Sequence, residues 1–263
     1  MKSRAIQKPE LTEEEKRQPY AKYLNRQPAT PAKEALEYLR SRQEIPVEDA
    51  LLAENGNMND ILKDGYMKCE YGVCTLPNGG GYVAMLNKMP GVTFQMYQFW
   101  NNWWSKEDQT LRYRIWNPRD HYKAGFRWSS EDVGKGVEDL IFLDHLVPEN
   151  LGIDGKLAKE SSLLLADGGN VISKAIDAEP LSAPQPGVVC HSVREMADGS
   201  GIELRSRFWK GYQFGPDGLF CAMGPDTPRE TLDTLLGLAE HNACEMANLA
   251  SILPSLYAEQ NIQ

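Results

Sequence analysis

This 263-residue sequence predicts an α+β fold with short helices first, antiparallel strands in the middle and one long helix at the end. Three observations carry that reading. Two β-rich runs, Tyr66 to Leu76 and Gly81 to Asn87, are joined by Pro77-Asn78-Gly79-Gly80, a strong hairpin signal. Further strand-like runs follow at 110–116, 138–147, 188–196 and 201–214. Near the C-terminus, apolar residues recur at helical spacing up to about Leu253, just before Pro254. A curved sheet wrapped around that last helix would enclose a pocket.

Taken in order, residues 1–64 read as helical and polar. Thr30-Pro31 offers an N-cap followed by Pro at the first helical position, ahead of Ala35, Leu36, Tyr38 and Leu39. A second helical piece follows Pro46 and stops near Asn55-Gly56. Helices this short cannot bury a core by themselves, so they should pack on the main domain or on another subunit. The main domain is expected from Gly65 onward, over residues 65–263. After the hairpin comes an aromatic helix, Phe94 to Trp104, whose Trp100, Trp103 and Trp104 are core candidates that could also line an aryl pocket. A Gly/Ala/Pro-rich stretch around 166–187 reads as a connection with one short strand. Thr227-Pro228-Arg229-Glu230 combines a capping box with Pro at the first position of the final helix.

Composition narrows the function classes. A net charge of −9 without a long basic tract argues against nucleic acid, which is bound through Lys and Arg contacts to phosphate. No apolar run approaches the roughly 20 residues needed to span a bilayer, and the N-terminus lacks the apolar stretch of a signal peptide. A cytoplasmic protein is the expectation. The five cysteines are odd in number and irregularly spaced, as reduced thiols would be; Cys69 and Cys74 have no second Cys or Cys/His pair to complete a zinc site.

The chemistry concentrates in one turn of the last helix, His241-Asn242-Ala243-Cys244-Glu245. Residues four apart share a helix face, and that face continues through Leu235, Leu238, Leu249 and Ile252. An ionisable pair on an apolar line needs a partner, because an unpaired buried carboxylate is costly. A divalent cation is the leading candidate, against the plainer reading of a surface hydrogen bond. The chain has four histidines. His121, in Asn117-Pro118-Arg119-Asp120-His121, and Glu149, in Pro148-Glu149-Asn150, each lie just past a predicted strand, where pocket rims form. Two imidazoles and two carboxylates would neutralise such a cation. His145, beside Asp144, is an alternative ligand or an ordinary sheet histidine.

Four segments taken together, GGGYVAMLNKMPGVTFQMYQFWNNWW (79–104), LRYRIWNPRDHY (111–122), GIELRSRFWKGY (201–212) and HNACEMANLASILPSLY (241–257), resemble the 2,4-diacetylphloroglucinol hydrolase and phloretin hydrolase family. The resemblance implies a helix-grip domain like that of plant allergens and lipid-transfer proteins, preceded by a helical region linked to homodimerisation. It implies a zinc-dependent hydrolase that uses a zinc-bound water to cleave the carbon–carbon bond between an acyl group and a polyhydroxylated phenol ring, as in phloretin. Its two His and two Glu ligands carry onto His121, His241, Glu245 and Glu149, with Glu138 as the fallback for the last. Its substrate-holding residues carry onto Tyr113, His191 and Tyr212. An Asn that diacetylphloroglucinol hydrolases place three residues after the first metal His is Ala124 here, which favours a bulkier aryl ketone. Two other classes compete: a non-catalytic protein that binds an aromatic ligand, and a non-haem metal oxygenase with a 2-His-1-carboxylate site.

Overall fold

The computed structural model describes residues 10–57, 60–61, 63–104, 109–121, 123–126, 140–147, 158–167, 170–175, 187–215 and 218–260. In chain order these form α1 (Glu13–Arg17), α2 (Lys33–Ser41), β1 (Gly72–Thr75), β2 (Gly81–Pro90), α3 (Phe94–Trp104), α4 (Gln109–Trp116), β3 (Lys123–Phe126), β4 (Leu140–Val147), β5 (Ala158–Asp167), β6 (Asn170–Ala175), β7 (Gly187–Glu195), β8 (Gly201–Lys210), β9 (Tyr212–Gly215), β10 (Gly218–Cys221) and α5 (Leu232–Gln260). Eight strands make one antiparallel open sheet, in the order β1-β2-β8-β7-β6-β5-β4-β3, while β9 and β10 pair separately. None of the described helices is long and apolar enough to cross a membrane.

The predicted hairpin forms where its turn chemistry places it. Gly79 has φ +98, a conformation that side chains disfavour, and Asn78 Oδ1 accepts the Gly80 N–H at 3.0 Å. At Gly81 an added Cβ would stand 2.5 Å from Leu235 Cδ2, so the missing side chain lets α5 lie close on β2.

The two faces of β2 and β8 are buried by different parts of the chain. Val83, Met85, Met89, Ile202 and Leu204 face α5 and the aromatic helices, packing against Leu235, Ala239, Met246 and Leu249. Tyr82, Ala84 and Trp209 face the other way, onto Ala50, Leu51, Leu52 and Ile61. Earlier residues also join the first face, Tyr20 and Tyr23 against Trp103 and Ala35 against Leu236. The N-terminal helical residues thus pack on the sheet and on α5.

Several expectations need correction. Residues 110–116 are the helix α4 rather than a strand. The helix expected to start at Thr30-Pro31 begins later, with Ala32 at its N-cap, and the piece after Pro46 is two short 3-10 turns, Val47–Asp49 and Ala53–Asn55. At the start of α5 the predicted capping segment is spent on the hairpin: the Glu230 N–H donates to Gly79 O at 2.9 Å and Arg229 Nη2 to Pro77 O at 2.9 Å. Thr231 takes over as cap, its Oγ1 accepting the Thr234 N–H at 3.2 Å. At the other end the helix runs through Pro254, which removes one backbone donor. Packing outweighs that loss, since Leu256 is fully buried and Tyr257 meets Phe99 edge-on at 5.2 Å. The strand expected over 201–214 breaks at Gly211, where φ is +83, into β8 and β9.

Candidate metal centre

Helix α4 ends at Trp116, and the turn that follows, through Pro118, is tied by its own backbone: Asp120 N and His121 N both donate to Asn117 O, at 3.2 and 2.9 Å. Helix α5 holds this end in place. Asn248 Nδ2 donates to Ile115 O and Trp116 O, each at 2.9 Å, satisfying carbonyls that a helix C-terminus leaves without intrahelical partners. His121 therefore arrives at α5 one turn short of Asn248, beside His241 and Glu245. All six residues of the predicted stripe, Leu235, Leu238, His241, Glu245, Leu249 and Ile252, are buried.

His121, His241 and Glu245 each offer a ligand atom, and these atoms lie within 4.8 Å of one another. The hydrogen bonds on the far side of each ring decide what the near side presents. His121 Nδ1 lies 2.8 Å from Tyr113 O, a backbone acceptor, so Nδ1 carries the proton and Nε2 is bare. His241 Nδ1 lies 3.1 Å from Asp120 Oδ2, and a carboxylate accepts only, so the neutral ring again has a bare Nε2. The two Nε2 atoms face each other at 3.4 Å, and Glu245 Oε2 stands 3.6 and 3.5 Å from them. Three lone-pair donors converging in a buried space require positive charge among them.

The titration behaviour says the same. Burial pushes His121 down to about 4, a loss that Glu245 only partly offsets. Burial also opposes charge on His241, but the Glu245 and Asp120 carboxylates overcome it and raise that imidazole to about 10. Glu245 and Asp120 stay well below the usual carboxylate range: burial disfavours their charge, and His241 with His121 or Arg119 outweighs it. The pair of imidazoles is built to hold one positive charge, a proton when no metal is present. Two imidazole nitrogens and a carboxylate oxygen are a donor set that suits a borderline divalent cation such as zinc, and the three residues would be the ones to hold it. Asp120, itself held by Arg119 at 2.9 Å and Asn117 at 3.1 Å, would be the outer carboxylate that orients His241 toward such an ion.

The other expected residues fall as follows. Tyr113 stacks on the His121 ring, centroids 3.6 Å apart and 4° from parallel, and Trp116 meets that ring edge-on at 5.0 Å. Behind them Trp100 and Trp104 are buried in the same aromatic cluster. His191 sits on β7 opposite Ser206, with Nδ1 2.8 Å from the Ser206 Oγ. Tyr212 is not brought here. The break at Gly211 turns it to the opposite face of the sheet, among Tyr82, Trp209 and Leu51, where its hydroxyl contacts Asn78 at 2.9 Å and Glu54 at 3.2 Å. Glu149 and Glu138 lie outside the described residues. Ala124 and His145 are register partners on β3 and β4. The five cysteines are free thiols.

Asp120, Asn242 and Asn87 were not singled out from the sequence. The first had a signal: an acid immediately before a candidate ligand on a tight turn is well placed to orient another ligand.

The family model "DAPG hydrolase PhiG domain" matches residues 52–130 and 127–258. The chain belongs to this family. Among relatives, it is 28% identical to phloretin hydrolase of Eubacterium ramulus over 264 residues, covering 95% of this chain and 93% of that protein. It is 29% identical to 2,4-diacetylphloroglucinol hydrolase of Pseudomonas protegens over 273 residues, covering 92% of this chain and 84% of that protein. A 2,4-diacetylphloroglucinol hydrolase of another Pseudomonas is 28% identical over 92% of this chain. The His121, His241 and Glu245 cluster lies wholly within the part that the family model covers.

Proposed function

We propose that this protein is a hydrolase that cleaves the carbon–carbon bond joining an acyl group to a polyhydroxylated phenol ring, as the names of its relatives suggest, with a divalent metal, zinc first, held by His121, His241 and Glu245. The observation that carries this reading is the pair of bare imidazole nitrogens facing each other beside a buried carboxylate oxygen. Glu149 is the proposed fourth ligand. A long helix against an antiparallel sheet supports reading the fold as a helix-grip domain.

The chemical difficulty is the leaving group. An aryl carbanion is too unstable to expel, but ring hydroxyls ortho and para to the acyl group allow the acyl-bearing carbon to be protonated first, giving a dienone. The ring then leaves as a stabilised enolate of the phenol. Overall one water is consumed: its oxygen bonds to the acyl carbon and a proton replaces the acyl group on the ring. A bound divalent cation lowers the pKa of a coordinated water from about 15.7 toward 7 and polarises a ketone oxygen. The chain's own residues orient and exclude. Asp120 and the Tyr113 carbonyl fix the imidazoles, Tyr113 and Trp116 wall the His121 ring, and Tyr113 with His191 are the proposed hydrogen-bonding partners of the ring oxygens. Tyr212 is assigned no part, because its hydroxyl is committed to Asn78 and Glu54.

The test is anaerobic incubation of purified protein with phloretin and with diacetylphloroglucinol, following both products. A phenol and a carboxylic acid are expected without oxygen. His241→Ala and Glu245→Ala are expected to lose bound metal, measured by elemental analysis, together with cleavage. Full cleavage by either variant free of metal would sink the scheme, and a strict need for oxygen would move the protein to the oxygenases.

A further inference from the structure

A single file of hydrogen bonds runs from Glu245 away from the metal group. Asn242 Nδ2 lies 3.0 Å from Glu245 Oε1, Asn87 Nδ2 lies 2.8 Å from Asn242 Oδ1 and 3.3 Å from Ser206 Oγ, and Ser206 Oγ lies 2.8 Å from His191 Nδ1. Asn87, Asn242 and Ser206 are buried, so none can exchange these partners for water.

The direction of every bond follows from the first. An ionised carboxylate only accepts, so Asn242 must turn its amide nitrogen to Glu245 and its carbonyl oxygen to Asn87. Asn87 must then offer its own amide nitrogen, one hydrogen to Asn242 and the other to Ser206. The Ser206 oxygen is thereby an acceptor from Asn87, and its own proton has to go elsewhere. Among the described residues, the remaining group within reach of Ser206 Oγ is His191 Nδ1. A buried hydroxyl proton left without an acceptor is costly, so Ser206 donates it to His191 Nδ1.

We infer that Asn242, Asn87 and Ser206 are positioning residues that carry the polarity of Glu245 to His191 and hold His191 as the tautomer protonated at Nε2. His191 then serves as a fixed N–H donor, and not as a base through Nδ1. Burial pushes its pKa down to about 4, so the ring is neutral at neutral pH and the tautomer is a real choice. That the Nε2–H meets an oxygen of a phenolic substrate rests on the proposed function; the tautomer itself does not.

Nitrogen NMR of protein labelled in its four histidine rings reads the tautomer directly. It is run on the metal-loaded protein, with the His191 signals assigned by their loss in His191→Gln. The expected wild-type pattern is a bare Nδ1 and a protonated Nε2. Ser206→Thr keeps the hydroxyl and should retain it, whereas Ser206→Ala removes the Nδ1 partner and should give a mixture of tautomers. Wild-type protein protonated at Nδ1 overturns the inference without any variant, as does a Ser206→Ala protein with the wild-type pattern. If the tautomer is as expected and no acylphenol is cleaved, the proposed function fails while the relay stands.

Discussion

Asp120 makes its contact on the side of His241 that faces away from Glu245, yet its carboxylate decides which nitrogen of that ring is bare. Asp120→Asn keeps the shape but brings an amide that also donates, so the anchor on Nδ1 weakens and the wrong tautomer becomes accessible. Metal affinity is expected to fall about 10–100-fold, the usual cost of losing such an outer partner, as measured by competition with a chromophoric chelator. Unchanged affinity would mean that ring packing alone orients His241. His241 and Glu245 were legible in the sequence because they stand four apart on an apolar stripe, where a charge is conspicuous. Asp120, Asn242 and Asn87 were not, because a single polar residue in a loop, helix or strand looks the same whether its partner is water or another buried side chain. Tyr212 misled for a related reason. Alternation along the strand assigns it to the pocket face, but one left-handed glycine at 211 reverses the assignment.

At the level of elements, α4 shows how a period can be misread. Leu111, Tyr113 and Ile115 alternate with Arg112 and Arg114, the pattern of a half-buried strand. The helix wins because its environment is aromatic enough to bury parts of the arginines too: the Arg112 guanidinium lies 4.6 Å from the Trp103 ring centre and 5.4 Å from that of Tyr20. For its neighbours α3 and α5 the helix itself was legible, though not the two ends of α5, since a long stripe or a dense aromatic run is less ambiguous than a short alternation. The closure of α4 by Asn248 gives a prediction at this scale. Asn248→Ala leaves the Ile115 and Trp116 carbonyls without their side-chain donor, a loss of about 1–3 kcal/mol if water does not reach them. Chemical denaturation should show that loss, and metal affinity should fall with it because the turn bearing His121 is no longer pinned to α5. Lower stability with unchanged affinity would show that the Asn117 turn is sufficient to place His121.

Across the whole molecule, α5 with its His241 and Glu245 covers one face of β2 and β8, the other is closed by residues before β1, and that closure depends on buried charge. Arg205 and Arg207 are almost fully buried on β8, and Glu70 bridges them, with Oε1 3.0 Å from Arg205 Nε and Oε2 2.6 Å from Arg207 Nη2. Arg205 also reaches Ile61 O and Lys63 O, each at 3.1 Å, and Gly65 O, so one cation ties the N-terminal segment to the sheet. Glu70 holds its charge against burial through the Met67 N–H and the two arginines, which place its pKa below the ordinary carboxylate value. Glu70→Gln leaves two buried guanidinium groups without their counter-charge, and removing one partner of a buried pair costs about 3–5 kcal/mol. The sign of the pH dependence follows from linkage. A carboxylate whose pKa is lowered on folding contributes fully above its unfolded value, about 4.3 for glutamate, and loses that contribution as the pH falls through the folded value. The gap in unfolding free energy between wild type and Glu70→Gln should therefore be wide at neutral pH and narrow below about pH 4, as measured by urea denaturation across that range. A gap independent of pH would mean that the variant loses packing rather than charge. In that case the apolar contacts of Ala50, Leu51, Leu52 and Ile61 with Tyr82 and Trp209, rather than the buried charges, would dominate the hold of the N-terminal segment on this face.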